Sequence, residues 1–110
     1  MELVVNEIGD VTVVRITGNL NTETTPEAQS QLQQIIENGA KKLVIDFEKL
    51  DYISSSGLRL FAVAAKQLTP VSERMRVSNL SAVVQEGFNF SGFATLIPVS
   101  PSQAAALEEM

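Results

Sequence analysis

Apolar positions along the chain change their period several times, and each change marks an element. The run Val11-Thr12-Val13-Val14-Arg15-Ile16-Thr17 is rich in β-branched residues, and Glu2 to Asn6 alternates loosely before it. Gly9-Asp10 between them predicts a tight turn, hence a hairpin. Gly18-Asn19-Leu20-Asn21-Thr22 breaks the second strand and supplies capping residues. From Pro26 to Asn38 the period is helical, with Ala28, Leu32, Ile35 and Ile36 on one face and Gln29, Gln33, Gln34 and Glu37 opposite. Asn38-Gly39 closes that helix.

The stretch from Leu43 to Leu68 organises the rest. Leu43-Val44-Ile45-Asp46-Phe47, within a strand Lys42–Phe47, reads as buried. Glu48-Lys49-Leu50-Asp51 reads as a polar connector, followed by Tyr52-Ile53, the triplet Ser54-Ser55-Ser56 and Gly57. A helix over Ser55–Leu68 buries Leu58, Phe61, Ala62, Ala65 and Leu68. Leu60, Val63 and Ala64 form a second apolar face, a wide core face or an interface. Thr69-Pro70 stops the helix. Arg74 to Val77 predicts a short strand, and Leu80 to Phe90 a helix capped by Asn79 or Ser81 with Val83, Val84 and Phe88 inward. Ser91-Gly92 ends it, Thr95-Leu96-Ile97 predicts a last strand, and Ser100-Pro101 opens a terminal helix through Leu107. The order ββαβαβαβα predicts one α/β domain over residues 1–110. Its mixed, mostly parallel sheet has four to five strands, right-handed crossovers and about four helices.

Three hydroxyls thus stand where a strand hands over to a helix. A helix leaves its first N–H groups without intrahelical partners, and its dipole makes that end positive. One serine suffices as a cap. Phosphate on another would bring roughly −1.5 to −2 charges to an end that favours anions.

Composition narrows the chemistry. Neither Cys nor His occurs in the 110 residues. Thiol redox, Ser-His-Asp catalysis and the usual zinc ligand sets are excluded. No catalytic residue, metal ligand or cofactor is expected. Asp46, Glu48 and Asp51 alternate along strand and connector and need not converge on a metal. The net charge is −5, and residues 1–40 carry six acids against Arg15 alone. No basic cluster could track a phosphate backbone, so nucleic acid is not an expected partner. The acidic first forty residues could steer a basic protein partner or simply keep the surface solvated. No leader and no membrane span is read from the chain, and a cytoplasmic location without membrane insertion is expected.

With these elements in place the chain resembles the STAS-domain family, specifically the stand-alone anti-sigma-factor antagonists of bacteria. The matching residues are Thr17-Gly18-Asn19-Leu20-Asn21, Leu43 to Phe47, Leu50 to Leu60, Asn79-Leu80-Ser81 and Phe90-Ser91-Gly92-Phe93. The resemblance implies that Ser55 is phosphorylated by a serine protein kinase that doubles as an anti-sigma factor. The unphosphorylated antagonist binds that kinase and frees the sigma factor, and a metal-dependent serine phosphatase reverses the block. Asn21, Thr22, Ser54, Ser55, Ser56, Gly57, Arg59 and Leu60 are then the expected partner-binding residues. Arg59 would pair an acidic group on the partner or remain solvated. Two positions depart from the common family pattern: Ser54 and Asn21 stand where many members have Asp. Losing both carboxylates makes a phosphate on Ser55 less repelled.

Two other classes remain open on such a fold. A nucleotide-binding protein or enzyme on such a sheet would use the strands' carboxyl ends, but Ser54 to Gly57 lacks the P-loop lysine and glycine spacing. A STAS scaffold, or an accessory subunit of a sensory complex or lipid transporter, would need no phosphate cycle.

Overall fold

The described residues, 1–68, 74–92 and 96–110 of a computed structural model, form six strands and four helices. β1 (Glu2–Ile8) and β2 (Val11–Leu20) make the expected hairpin, antiparallel from Glu2 opposite Thr17 to Ile8 opposite Val11. Gly9, at φ +63°, lets two residues reverse the chain. Helix α1 (Thr25–Glu37) follows, buries Ala28 and Leu32, and leads to β3 (Lys42–Asp46). Next come β4 (Leu50–Ile53), α2 (Ser55–Gln67), β5 (Met75–Ser78), α3 (Ala82–Ser91), β6 (Val99–Ser100) and α4 (Gln103–Glu109).

The sheet runs β1-β2-β3-β5-β6, with β4 paired to β2 beyond β3, and every pairing except the hairpin is parallel. The α/β class and the mostly parallel mixed sheet agree with the sequence. The sixth strand is a correction. Leu50–Ile53 read as connector and junction because only Leu50 on it is fully buried, so no apolar alternation announces it. The long β2 serves two neighbours in turn, Val11 to Arg15 pairing with β3 and Gly18 to Leu20 with β4.

Three further expectations are corrected. The last strand lies at Val99–Ser100; Leu96 and Ile97 are not in a strand, although Ile97 is fully buried before Pro98. The terminal helix starts at Gln103, capped by the Ser102 hydroxyl, which accepts the Ala105 N–H at 3.1 Å, so Pro101 stands outside it. Val83 is 66% exposed instead of inward, while Val84 and Phe88 are fully buried. Ser81, not Asn79, caps α3, accepting the Val84 N–H at 3.2 Å. Thr69-Pro70 and Thr95 lie outside the described residues.

The main core fills the sheet face covered by α1, α2 and α3. Phe47 meets Phe61 edge-on at 5.1 Å between ring centroids and Phe88 at 5.9 Å. Such pairs add about 0.5–1.5 kcal/mol to the burial of their area. On the opposite face Val11, Val13 and Val44 pack against Ala106 of α4. There the buried Asp46 carboxylate accepts from the Glu48 N–H and from Asn79 Nδ2 on one oxygen and from Gln103 Nε2 on the other. Arg15 Nε stands 3.8 Å from it. These partners occupy Asp46, and Asp51 is exposed; no acidic cluster suited to a metal occurs among the described residues.

Candidate functional site at the serine turn

The serine turn sits at the carboxyl ends of β2 and β4, where ligands and partners meet open α/β sheets. Its first anchor is backbone: the Ser54 N–H donates to the Leu20 carbonyl at 2.8 Å, continuing the β2–β4 ladder past Ile53. Its second is the helix cap. Ser54 Oγ accepts the Gly57 N–H at 3.2 Å and lies 2.9 Å from Ser56 Oγ. Its third is close packing. A Cβ on Gly57 would lie 2.8 Å from Ile53 Cγ1 and 3.1 Å from Leu20 Cβ, so only glycine brings α2 this near β2 and β4.

The three hydroxyls therefore differ. Those of Ser54 and Ser56 are half-buried and bonded to each other, whereas Ser55 is exposed. The Ser55 hydroxyl makes no hydrogen bond among the described residues.

Asn21 is one residue past the Leu20 carbonyl that holds Ser54. Its Oδ1 accepts the N–H groups of Glu23 at 2.9 Å and Thr24 at 3.0 Å, and its carbonyl accepts the Thr25 N–H at 2.9 Å. An amide oxygen here does the capping that a carboxylate could also do, without the charge. Thr22 lies in the turn between Asn21 and α1.

Between α1 and α2 runs a groove of about 250 Å³, walled by Thr22, Thr25, Pro26, Gln29, Ser56, Arg59, Leu60 and Val63. It brings Thr22, Ser56, Arg59 and Leu60, named from the sequence, together with an α1 wall that was not. Pro26 and Gln29 had no signal beyond the neutral face of an amphipathic helix. Leu60 and Ala64 are buried, so the second apolar face of α2 is mostly core, with Val63 left at 43% exposure. Further down, Gln33 and Gln67 exchange amide hydrogen bonds at 3.0 and 2.8 Å and fix the two helices side by side.

On the other flank of the turn, Tyr52 of β4 is 50% exposed and Phe90 of α3 is 94% exposed. In the sequence Phe90 closes the predicted helix and stands among the residues that carry the family resemblance. A larger cavity, about 400 Å³, lies at the hairpin end among Glu7, Asp10, Ile35 and Lys41 and includes none of the expected site residues. There the Lys42 ammonium, hydrogen-bonded to Asp10 at 3.1 Å, holds the Asp10 carboxyl below its ordinary value.

No helix among the described residues is long and apolar enough to cross a membrane. The model of the STAS domain matches residues 2–106. A Bordetella bronchiseptica protein, BtrV, named as a candidate anti-sigma factor antagonist, is 33% identical over 106 residues, covering 96% of this chain and 91% of its own. The anti-sigma-B factor antagonist of Staphylococcus aureus is 25% identical over 87 residues, covering 79% of this chain and 81% of its own. Among solved structures, an anti-sigma factor antagonist from Mycobacterium paratuberculosis superposes with a TM-score of 0.90 at 20% identity, covering 97% of this chain and 91% of that one. Unphosphorylated SpoIIAA superposes with a TM-score of 0.80 at 23% identity, covering 97% and 94%. Family match, sequence identity and backbone superposition agree along nearly the whole chain, which belongs to the STAS-domain family.

Proposed function

We propose that the protein is a phosphorylation-switched binding module. With Ser55 unmodified it docks on a serine-kinase anti-sigma factor and releases that protein's sigma factor or other target. Phosphate on Ser55 blocks docking, and a metal-dependent serine phosphatase restores it. The domain is then substrate and switch, and the catalysis belongs to its partners. The names of BtrV and the Staphylococcus aureus relative, both antagonists of anti-sigma factors, support this reading. The observation that carries it is the inequality of the three serines: Ser54 and Ser56 are engaged at the cap, and Ser55 alone is exposed, its hydroxyl without a hydrogen bond among the described residues.

The physics of the switch is local. A dianion brought to a surface that was closed around a neutral hydroxyl meets both desolvation and repulsion. Each 1.4 kcal/mol of that cost weakens binding about tenfold. Ser55 is exposed, so the change need not disturb the fold. Ser55→Asp is expected to abolish partner binding with an unchanged circular dichroism spectrum and melting temperature, and Ser55→Ala to lock binding on. Intact-mass spectrometry with site mapping, on protein from its native cells, should find one phosphate, at Ser55. Absence of phosphate under every growth condition would overturn the switch and leave a constitutive scaffold.

A further inference from the structure

The chain has four arginines, and among the described residues three are committed. Arg15 stands 3.8 Å from Asp46, Arg74 Nε donates to the Lys41 carbonyl at 2.8 Å, and Arg76 pairs with Glu109 at 2.6 Å. Arg59 is exposed and makes no ion pair or side-chain hydrogen bond among the described residues. It stands four residues after Ser55 in α2, the spacing that puts two side chains on one helix face with Cβ atoms about 5–6 Å apart. α2 has no acidic residue in its first turn, and the groove residues around Arg59 are uncharged. The acids carried by the flanking elements include Glu23, next to Thr22 in the turn before α1, Glu27 in the first turn of α1, and Asp51 on β4; all three are exposed.

We propose that Arg59 is the built-in counter-ion of the phosphorylated form, a free cation on the groove rim that pairs with a phosphate carried by Ser55. This rests on the switch at Ser55 and adds its internal regulation. In the unmodified protein the guanidinium is available to an acidic group on a partner. After modification it is drawn onto the phosphate, whose oxygens suit its planar fork of donors. Phosphorylation therefore changes the docking surface twice, adding an anion and withdrawing a cation. It also makes the phosphoserine more comfortable on its own helix, since an opposite charge one turn away favours the dianion.

The test places phosphoserine at position 55 by encoded incorporation and follows the phosphate's second ionisation by phosphorus-31 NMR, folded and in urea. It compares Arg59 with Arg59→Gln and Arg59→Lys. The helix end, Glu23, Glu27 and Asp51 are common to all three variants, so differences among the variants isolate residue 59. With Arg59 the folded-state ionisation should fall roughly 0.2–0.4 of a unit below that of Arg59→Gln, about what an exposed pair at this spacing supplies. Arg59→Lys should fall between, and added salt should narrow the gap. Superimposable titrations of Arg59 and Arg59→Gln would overturn the proposal. Because the phosphate is installed, that result is separate from the mass-spectrometric one, which alone decides whether cells modify Ser55.

Discussion

α1, α2 and α3 press one continuous apolar layer onto the sheet and bury Phe47, Phe61 and Phe88 completely. Among the described residues the opposite face carries only α4, seven residues long, whose fully buried residue is Ala106. Its attachments are polar: Arg76 to Glu109 at 2.6 Å, Lys42 Nζ to the Met110 carbonyl at 2.8 Å and Gln103 to Asp46 at 2.8 Å. Apolar burial is large and collective, whereas each polar contact replaces one with water and nets little. The first face should therefore set global stability, and the second should open first. The serine turn is mounted on the first face. Its cap, its glycine contact and its groove are all built from α1, α2 and the strands beneath them.

The strongest way to break this contrast is at the aromatic centre. Phe61→Ala should cost about 3–5 kcal/mol, a large share of the stability of a small domain. Urea denaturation with an unchanged slope would give the number, and a loss below 1 kcal/mol would remove the distinction between the faces. Gly57→Ala tests whether the turn depends on that packing. The added methyl would press Ile53 and Leu20 and should cost about 1–3 kcal/mol, displacing Ser55 from its position. Partner binding would fall with it, and chemical shifts confined to residues 50–60 would locate the strain. Glu109→Ala should matter least. Glu109 is half exposed while Arg76 is mostly buried, so removing the pair should cost about 1 kcal/mol. Amide exchange should nonetheless quicken in α4 while α1 and α2 keep their protection.

Legibility in the sequence followed the same division. β2, α1, β3 and α2 are readable because period and burial coincide in them: Val14, Ile16, Ala28, Leu32, Leu43, Ile45, Phe61 and Ala65 are all at or near zero exposure, whereas β1 is mostly exposed and is announced by the Gly9-Asp10 turn. β4 is not readable, because it is a four-residue strand whose ladder depends on the overlong β2 reaching past β3. Val83 was misjudged because α3 is apolar on more than one side, and an apolar residue on such a helix cannot declare its face. The C-terminal elements lie two to four residues beyond their expected places, around Pro98 and Pro101, where Ser102 caps a helix that starts at Gln103. At the site, Ser54 to Gly57 and Arg59 are legible as types and spacings, while Asn21 enters only through the family resemblance. The α1 wall of the groove is not legible, since Pro26 and Gln29 acquire meaning only when Leu60 and Val63 lie across from them.

By itself the sequence determined the alternation of strand and helix, the placement of three hydroxyls at a helix start and the exclusion of His- and Cys-based chemistry. These are local or compositional properties, and local physics suffices for them. Which serine is free was decided only by tertiary structure. It needed the Leu20 carbonyl to hold Ser54, a glycine to let α2 approach the sheet and the Ser54–Ser56 contact to occupy two hydroxyls. Exposure is a property of what surrounds a residue, and what surrounds Ser55 comes from parts of the chain far from it in sequence.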